Sequence, residues 1–269
     1  ERQILKKIRL ERTGYYWFQG LPGTGKTLLL YDMAMKLSVR QQVCLIHCGE
    51  AVEQWKVLHE RLRRVKYLAD AQITSDILSG ASAVLVDEAH LLSQEKLEYL
   101  LRYCGNRPVI FSSDYENMLS PEELDRAAVH ALEQISGIQS FRLTNRIRTN
   151  AEISSFIQNM MCLPERKKGR HFPHVTVMYA NDDREADVLL SDAQHQGYQV
   201  ILNEAEPAIC ADRLAMVLDQ RYFYDRQNYL RSDDRSVRRL FHQLNGAKEE
   251  LLLVVKQNEP LYAVLLDLL

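Results

Sequence analysis

Gly20-Leu21-Pro22-Gly23-Thr24-Gly25-Lys26-Thr27 fills every fixed position of the phosphate-binding loop pattern, a glycine followed five residues later by Gly-Lys-Thr. Its surroundings fit as well. Tyr15 to Gln19 leads in as a strand-like run, and Thr27-Leu28-Leu29-Leu30-Tyr31-Asp32-Met33-Ala34 leads out with helical periodicity. The motif requires this strand, loop and helix context. Glycines let backbone N–H groups converge on a polyphosphate, and the new helix offers its partially positive N-terminus. Lys26 can reach the β and γ phosphates, and the Thr27 hydroxyl can bind Mg²⁺. The candidate nucleotide-binding set here is Gly20, Pro22, Gly23, Thr24, Gly25, Lys26, Thr27 and Leu28.

Composition sets looser bounds. At 269 residues the chain can hold two medium domains, each with its own core. Apolar content of 46% and charged content of 26% describe an ordinary globular protein. No apolar stretch approaches the ~20 residues of a membrane span. A net charge of −2 gives no global attraction to nucleic acid, so such binding needs local patches. The chain starts at Glu1 rather than methionine, as an excised piece of a longer protein would, and Glu1 to Lys7 lacks the apolar core of a signal peptide. Five cysteines, Cys44, Cys48, Cys104, Cys162 and Cys210, suit a reducing, cytoplasmic setting. Cys44, His47 and Cys48 sit in a run that reads as a buried strand, so packed thiols are expected there rather than metal ligands.

Strand-like runs alternate with amphipathic, charge-bearing segments along the chain. Tyr15 to Phe18, Val43 to His47, Ala83 to Val86 and Val109 to Phe111 form a first series. Val175 to Tyr179, Tyr198 to Leu202, Leu214 to Leu218 and Leu251 to Val255 form a second. Such alternation predicts α/β units with mainly parallel sheets flanked by helices. The proline-, glycine- and charge-rich stretch Leu163 to Pro173 predicts the boundary, giving domains 1–163 and 175–269 joined by a linker at 164–174.

Ala83-Val84-Leu85-Val86-Asp87-Glu88-Ala89-His90 is an apolar strand ending in two carboxylates, the usual partner of a phosphate loop. Asp87 would hold Mg²⁺ through water, and Glu88 would orient and deprotonate an attacking water. The next strand ends in Ser113-Asp114-Tyr115-Glu116-Asn117, which places Asp114 and Asn117 at the rim of the same site.

With these segments together the chain resembles the superfamily-one helicase-like ATPases, and within them a bacterial branch akin to the helicase module of Schlafen proteins. The resemblance covers nearly the whole chain and is strongest in the first half. It implies two RecA-like domains, ATP and Mg²⁺ as cofactors, and ATP hydrolysis coupled to nucleic acid. Gln3, 23 residues before Lys26, matches that group's adenine-reading glutamine. Asn117 falls where its third motif usually has glutamine. Leu143 to Asn150 is similar to the segment whose arginine touches the γ-phosphate, which puts Arg148 in that role. The resemblance also allows a partner, such as an effector or nuclease subunit in an antiviral assembly, because such modules occur fused to or working with other domains.

The second half departs from that pattern. Asn245-Gly246-Ala247 stands where Thr-Arg-Ala is expected, so Gly246 replaces the second domain's arginine finger. Loss of such a group can cost ~10³-fold in turnover. Ile209-Cys210-Ala211-Asp212 likewise lacks a motif rich in Gln, Glu and Phe. A nucleotide-gated switch with little hydrolysis is therefore the rival reading. Three segments mix basic and aromatic residues and are candidate contacts for single-stranded nucleic acid: Arg61 to Tyr67, Arg166 to His174 and Arg221 to Arg231. For the first, the solvated face of a helix is the stronger expectation.

Overall fold

The computed structural model describes the chain except for residue 1 and residues 21–23, 50–61, 115–128, 144–149, 167–170, 203–208 and 234–236. The chain divides into two compact units, Glu1–Asn145 and Arg146–Leu269.

The first unit is built on a six-stranded sheet in the order β3-β2-β4-β5-β1-β6, with every neighbouring pair parallel. Its strands are β1 (Tyr15–Gly20), β2 (Val43–His47), β3 (Val65–Ala69), β4 (Ala83–Asp87), β5 (Val109–Ser113) and β6 (Gln139–Leu143). Side chains alternate across a strand, so each central strand feeds two cores. On one face Tyr16, Phe18, Leu45, Leu85 and Ile110 pack with Ile4, Leu5 and Ile8 of α1 (Arg2–Glu11). Leu30, Met33 and Leu37 of α2 (Lys26–Ser38) complete this core. On the other face Trp17, Cys44, Ile46, Val84, Val86 and Phe111 pack with Leu78 of α3 (Ser75–Gly80) and with Leu97 and Leu100 of α4 (Gln94–Cys104). Strands buried on both faces read as continuous apolar runs, which is why these four stand out in the sequence.

Two strands were hidden from that reading. Val65–Ala69 shows the pattern buried, exposed, half-buried, buried, half-buried, and Lys66 faces out, because β3 is the sheet edge. The basic stretch ending at Tyr67 is thus a turn and an edge strand, not the helix face expected for it. Strand β6 at the opposite edge has no fully buried residue among its five.

The cysteines of the first unit are packing residues. Cys44, Cys48 and Cys104 are buried. Burial pushes the Cys44 thiol up to about 12 and Cys104 up to about 11, with Cys48 also raised.

The second unit carries a four-stranded sheet, order β7-β12-β9-β8, again with parallel neighbours. These strands are β7 (Val175–Ala180), β8 (Gln199–Ile201), β9 (Ala211–Leu218) and β12 (Ala247–Lys256). Helix α7 (Asp183–His195) covers one face through Ala186, Leu190 and Ala193, against Ala180, Ala215, Leu252 and Val254. Between β9 and α8 (Val237–Leu244) runs an antiparallel hairpin, β10 (Tyr222–Tyr224) and β11 (Leu230–Ser232), and the unit closes with α9 (Glu259–Leu268). The division of the chain falls earlier than residue 163. Helix α6 (Ala151–Met161), with Ile153, Phe156, Ile157 and Met160 fully buried, packs on β12 and α9, and so belongs to the second unit. Helix α5 (Val129–Glu133) precedes β6 in the first unit.

Candidate nucleotide site

Parallel strands deliver their carboxyl ends to one edge of a sheet, where ligands of open α/β folds bind. Here that edge carries Gly20 of β1, His47 of β2, Asp87 of β4 and Ser113 of β5. Strand β5 lies between β1 and β4, so its terminal residues stand between the phosphate loop and the carboxylate pair.

The loop closes where its residue types require. A Cβ on Gly20 would lie 2.7 Å from Thr24 Oγ1 and 2.9 Å from the Leu143 carbonyl oxygen, so only glycine fits. Gly25 has φ 84° at the N-cap of α2, a left-handed conformation that glycine adopts without penalty. Its N-cap residue, Gly25, makes no side-chain cap hydrogen bond, and a helix N-terminus is a favourable place for an anion. Thr24 is buried, Lys26 and Thr27 open the helix, and Leu28 is largely exposed. Pro22 and Gly23 lie outside the described residues, as do Asn117 and Arg148. The backbone of Gln3 belongs to α1, and its side chain is outside the description.

Lys26 is only 6% exposed. Its Nζ donates to the Gly20 carbonyl at 2.7 Å and to Asp114 Oδ2 at 3.2 Å. Asp114 immediately follows β5 and is itself 2% exposed. Its backbone N–H donates to His90 Nδ1 at 3.3 Å, so a neutral His90 ring carries its proton on Nε2. That atom lies 3.4 Å from Glu88 Oε2. Lys26, Asp114, His90 and Glu88 thus form one continuous chain of polar contacts. Sequence reading placed Asp114 at the rim and overlooked His90, although the Asp-Glu-Ala-His run was the available signal.

Glu88 adopts φ 53° in the left-handed region, which costs a non-glycine residue roughly 1–2 kcal/mol. This turn takes the chain from β4 directly into the 3₁₀ turn Ala89–Leu91 and brings His90 beneath the carboxylate. Strain of this kind is kept where neighbouring contacts hold it.

Asp87 is buried, and its Oδ1 accepts from Ser112 Oγ at 2.5 Å. Its Oδ2 has no hydrogen-bond partner among the described residues and lies 3.4 Å from His47 Nδ1, at the end of the adjacent, register-paired strand. A buried carboxylate oxygen left without a donor suits a hard cation such as Mg²⁺ or its water, and Thr27 in the first turn of α2 carries the hydroxyl expected beside it. Trp17 Nε1 donates to Ser113 Oγ at 2.7 Å and fixes the end of β5.

In the second unit, Gly246 sits in a tight backbone approach. A Cβ on Gly246 would fall 1.9 Å from the Ile209 carbonyl oxygen and 2.9 Å from that of Gln243. The backbone pairing of Ala211 N–H with the Gly246 carbonyl, at 3.1 Å, pins this approach. No side chain fits here without moving the segment. Gly246→Ala is expected to destabilise the second unit by ~1–3 kcal/mol, as overpacking does, read as a lower urea midpoint. An unchanged midpoint would show that the segment yields easily.

The basic and aromatic stretch from Arg221 to Arg231 is largely spent internally. Tyr222 and Tyr229 are buried, and Tyr224 donates its hydroxyl to the Met160 carbonyl at 2.8 Å. Arg221 pairs with Asp219, and Arg231 Nε donates to Asp225 at 2.7 Å. Burial alone would raise the Asp225 carboxyl, but the Tyr229 and Gln227 amides and Arg231 hold it below the usual range. Only Phe223 among the aromatics of this stretch is exposed, as is Arg226. In the expected linker, Arg166 pairs with Asp267 at 2.6 Å and His174 Nε2 lies 3.7 Å from Glu152.

No family model matches the chain, and no curated protein does. Several solved structures are similar to it at low identity. One is DnaA from Aquifex aeolicus bound to AMPPCP, with 17% identity over 52% of this chain and 44% of that one, at a TM-score of 0.37. Another is a Pif1 helicase from Bacteroides in complex with ADP-AlF3 and ssDNA, with 10% identity over 93% and 91% and a TM-score of 0.45. A third, the Pif1 helicase from Candida albicans, gives 14% identity over 71% of this chain and 52% of that chain, with a TM-score of 0.35. The chain thus spans about half the length of the DnaA and Candida structures. These identities and scores are too low to assign a residue role or an activity to this chain.

Proposed function

We propose that this chain is a Mg²⁺-dependent ATPase of the helicase-like phosphate-loop kind, acting with single-stranded nucleic acid. The observation that carries the reading is local. Strand β1, which leads to Lys26 at the start of α2, and strand β4, which ends in Asp87 and is followed by Glu88, flank β5, which is followed by Asp114. In this reading Lys26 and the α2 N-terminus bind the phosphate chain, with Gly20, Pro22, Gly23, Thr24, Gly25 and Leu28 forming the loop around it. Thr27 and Asp87 hold the cation, which supplies charge neutralisation at the phosphates when bound. Glu88 takes the proton from the attacking water, oriented by His90. Gln3, Asn117 and Arg148 keep the roles that the sequence resemblance implies for them, reading adenine and meeting the γ-phosphate.

Kinship with the Schlafen-type branch rests on the sequence motifs alone; the solved structures named above are a DnaA and Pif1 helicases. A nucleic-acid partner is supported by the motifs, and within the second unit Phe223 and Arg226 are the exposed aromatic and basic residues of the stretch expected to bind it. One observation favours a second reading. Position 246 carries glycine where the resemblance expects an arginine, and its surroundings leave no room for a side chain, which suits a nucleotide-gated switch in an effector assembly. Steady-state Mg-ATP hydrolysis with and without single-stranded DNA or RNA separates the two. Turnover stimulated by a strand is the expected result. Tight ATP binding with negligible turnover under all conditions would establish the switch instead.

A further inference from the structure

The Lys26–Asp114 pair has no place in a simple account of phosphate binding. In that account the lysine points at phosphate oxygens, yet here its ammonium is bonded to a carboxylate at 3.2 Å. The lysine and aspartate side chains are 7% and 2% exposed, so solvent screens the pair little. Asp114 is also held from behind. Its backbone N–H is fixed on His90, and the preceding Ser113 is fixed on Trp17. The carboxylate thus sits on an anchored stretch of backbone and is buried beside the lysine it bonds.

We propose that Asp114 is a built-in competitor for the phosphate-loop lysine, a residue that sets nucleotide affinity by occupying Lys26 until a polyphosphate displaces it. The inference deepens the ATPase reading and rests on its nucleotide site. A phosphate chain entering the loop must offer Lys26 more than Asp114 does, and it must also tolerate the displaced carboxylate nearby. Both effects lower affinity for any ligand whose binding depends on phosphate oxygens. Neither touches recognition of the base. Affinity is thus reduced by an anion that belongs to the protein itself, and removing that anion returns the difference as tighter binding.

The test is equilibrium binding of Mg-ATP, Mg-tripolyphosphate and adenosine to the whole chain, by calorimetry. It compares the wild type with Asp114→Asn, and with Lys26→Ala/Asp114→Asn as the control lacking the lysine. Asp114→Ser, with folding checked by circular dichroism, serves as a second variant should the asparagine disturb the buried site. The expected result is that removing the carboxylate lowers the Kd of ATP and of tripolyphosphate by about tenfold or more, a gain lost in the control, with adenosine unaffected. Lys26-dependent binding that is unchanged or weaker in both single variants would overturn the competitor while leaving the ATPase reading intact. Absence of Lys26-dependent binding in every protein would overturn both. An equal gain for adenosine would also overturn it, because the effect would then lie in the base pocket.

Discussion

Glu88→Gln is expected to lower ATP turnover by ~10²–10⁴-fold, the usual contribution of a positioned general base, while leaving the Kd for ATP within a few-fold of wild type. The separation follows from the geometry. The Glu88 carboxylate lies 3.4 Å from His90 Nε2, at the far end of the chain of contacts that runs from the lysine through Asp114 and His90. Glutamine keeps the size of the side chain and an oxygen that can face the same imidazole. What it removes is the capacity to take a proton from water. A loss confined to kcat is the signature of an interaction made in the transition state only, whereas a rise in Kd would mean that Glu88 shapes the ground-state site. Single-turnover hydrolysis beside equilibrium binding distinguishes these. Undiminished hydrolysis would remove Glu88 from the mechanism and move attention to Asp114 or to residues 115–128.

The first unit was legible because its chemistry and its burial leave marks of the same kind in the sequence. Strands β1, β2, β4 and β5 are covered on both faces, so they appear as unbroken apolar runs, and the polar residues ending them are those that reach the site. Edge strands carry no such mark. Val65–Ala69 has Lys66 outward, and Gln139–Leu143 alternates half-buried and exposed residues, so neither stood out from the amphipathic segments around it. Pairings across the site were hidden for a related reason. Lys26 and Asp114 are 88 residues apart, and only the strand order that sets β5 beside β1 makes them neighbours.

In the second unit composition misled in two places. The Leu163 to Pro173 stretch has the proline and charge of a linker, yet Ala151–Met161 before it already packs on the second sheet. Periodicity finds a helix but does not say which sheet it covers. The Tyr-rich segment has the composition of a strand-binding surface, but a hairpin alternates its side chains. That turns Tyr222 and Leu230 inward and leaves Phe223 outside. Gly246 is the opposite case. Its packing role came into view only with the backbone of Ile209 placed against it.

Lys26→Ala, the customary blank for a phosphate loop, is expected to act here on stability as well as on binding. Removing the ammonium leaves the Asp114 carboxylate buried without its cation, and breaking a buried pair from one side typically costs ~3–5 kcal/mol. The variant should therefore unfold at markedly lower urea concentration than wild type. Adding Asp114→Asn removes the stranded charge and should recover most of that loss, since an amide tolerates the site at far lower cost. Nucleotide binding should not recover. Each charge-assisted hydrogen bond from lysine to phosphate is worth ~1.5–3 kcal/mol, so its absence weakens ATP by roughly 10- to 10²-fold per contact in both variants. Urea denaturation of the single and double variants, alongside ATP binding, reads the two quantities independently. If the single variant proves as stable as wild type, Asp114 is not held by Lys26 in solution and the pair cannot set affinity. If stability returns in the double variant while binding stays lost, the same carboxylate that braces Lys26 is the one a nucleotide must displace.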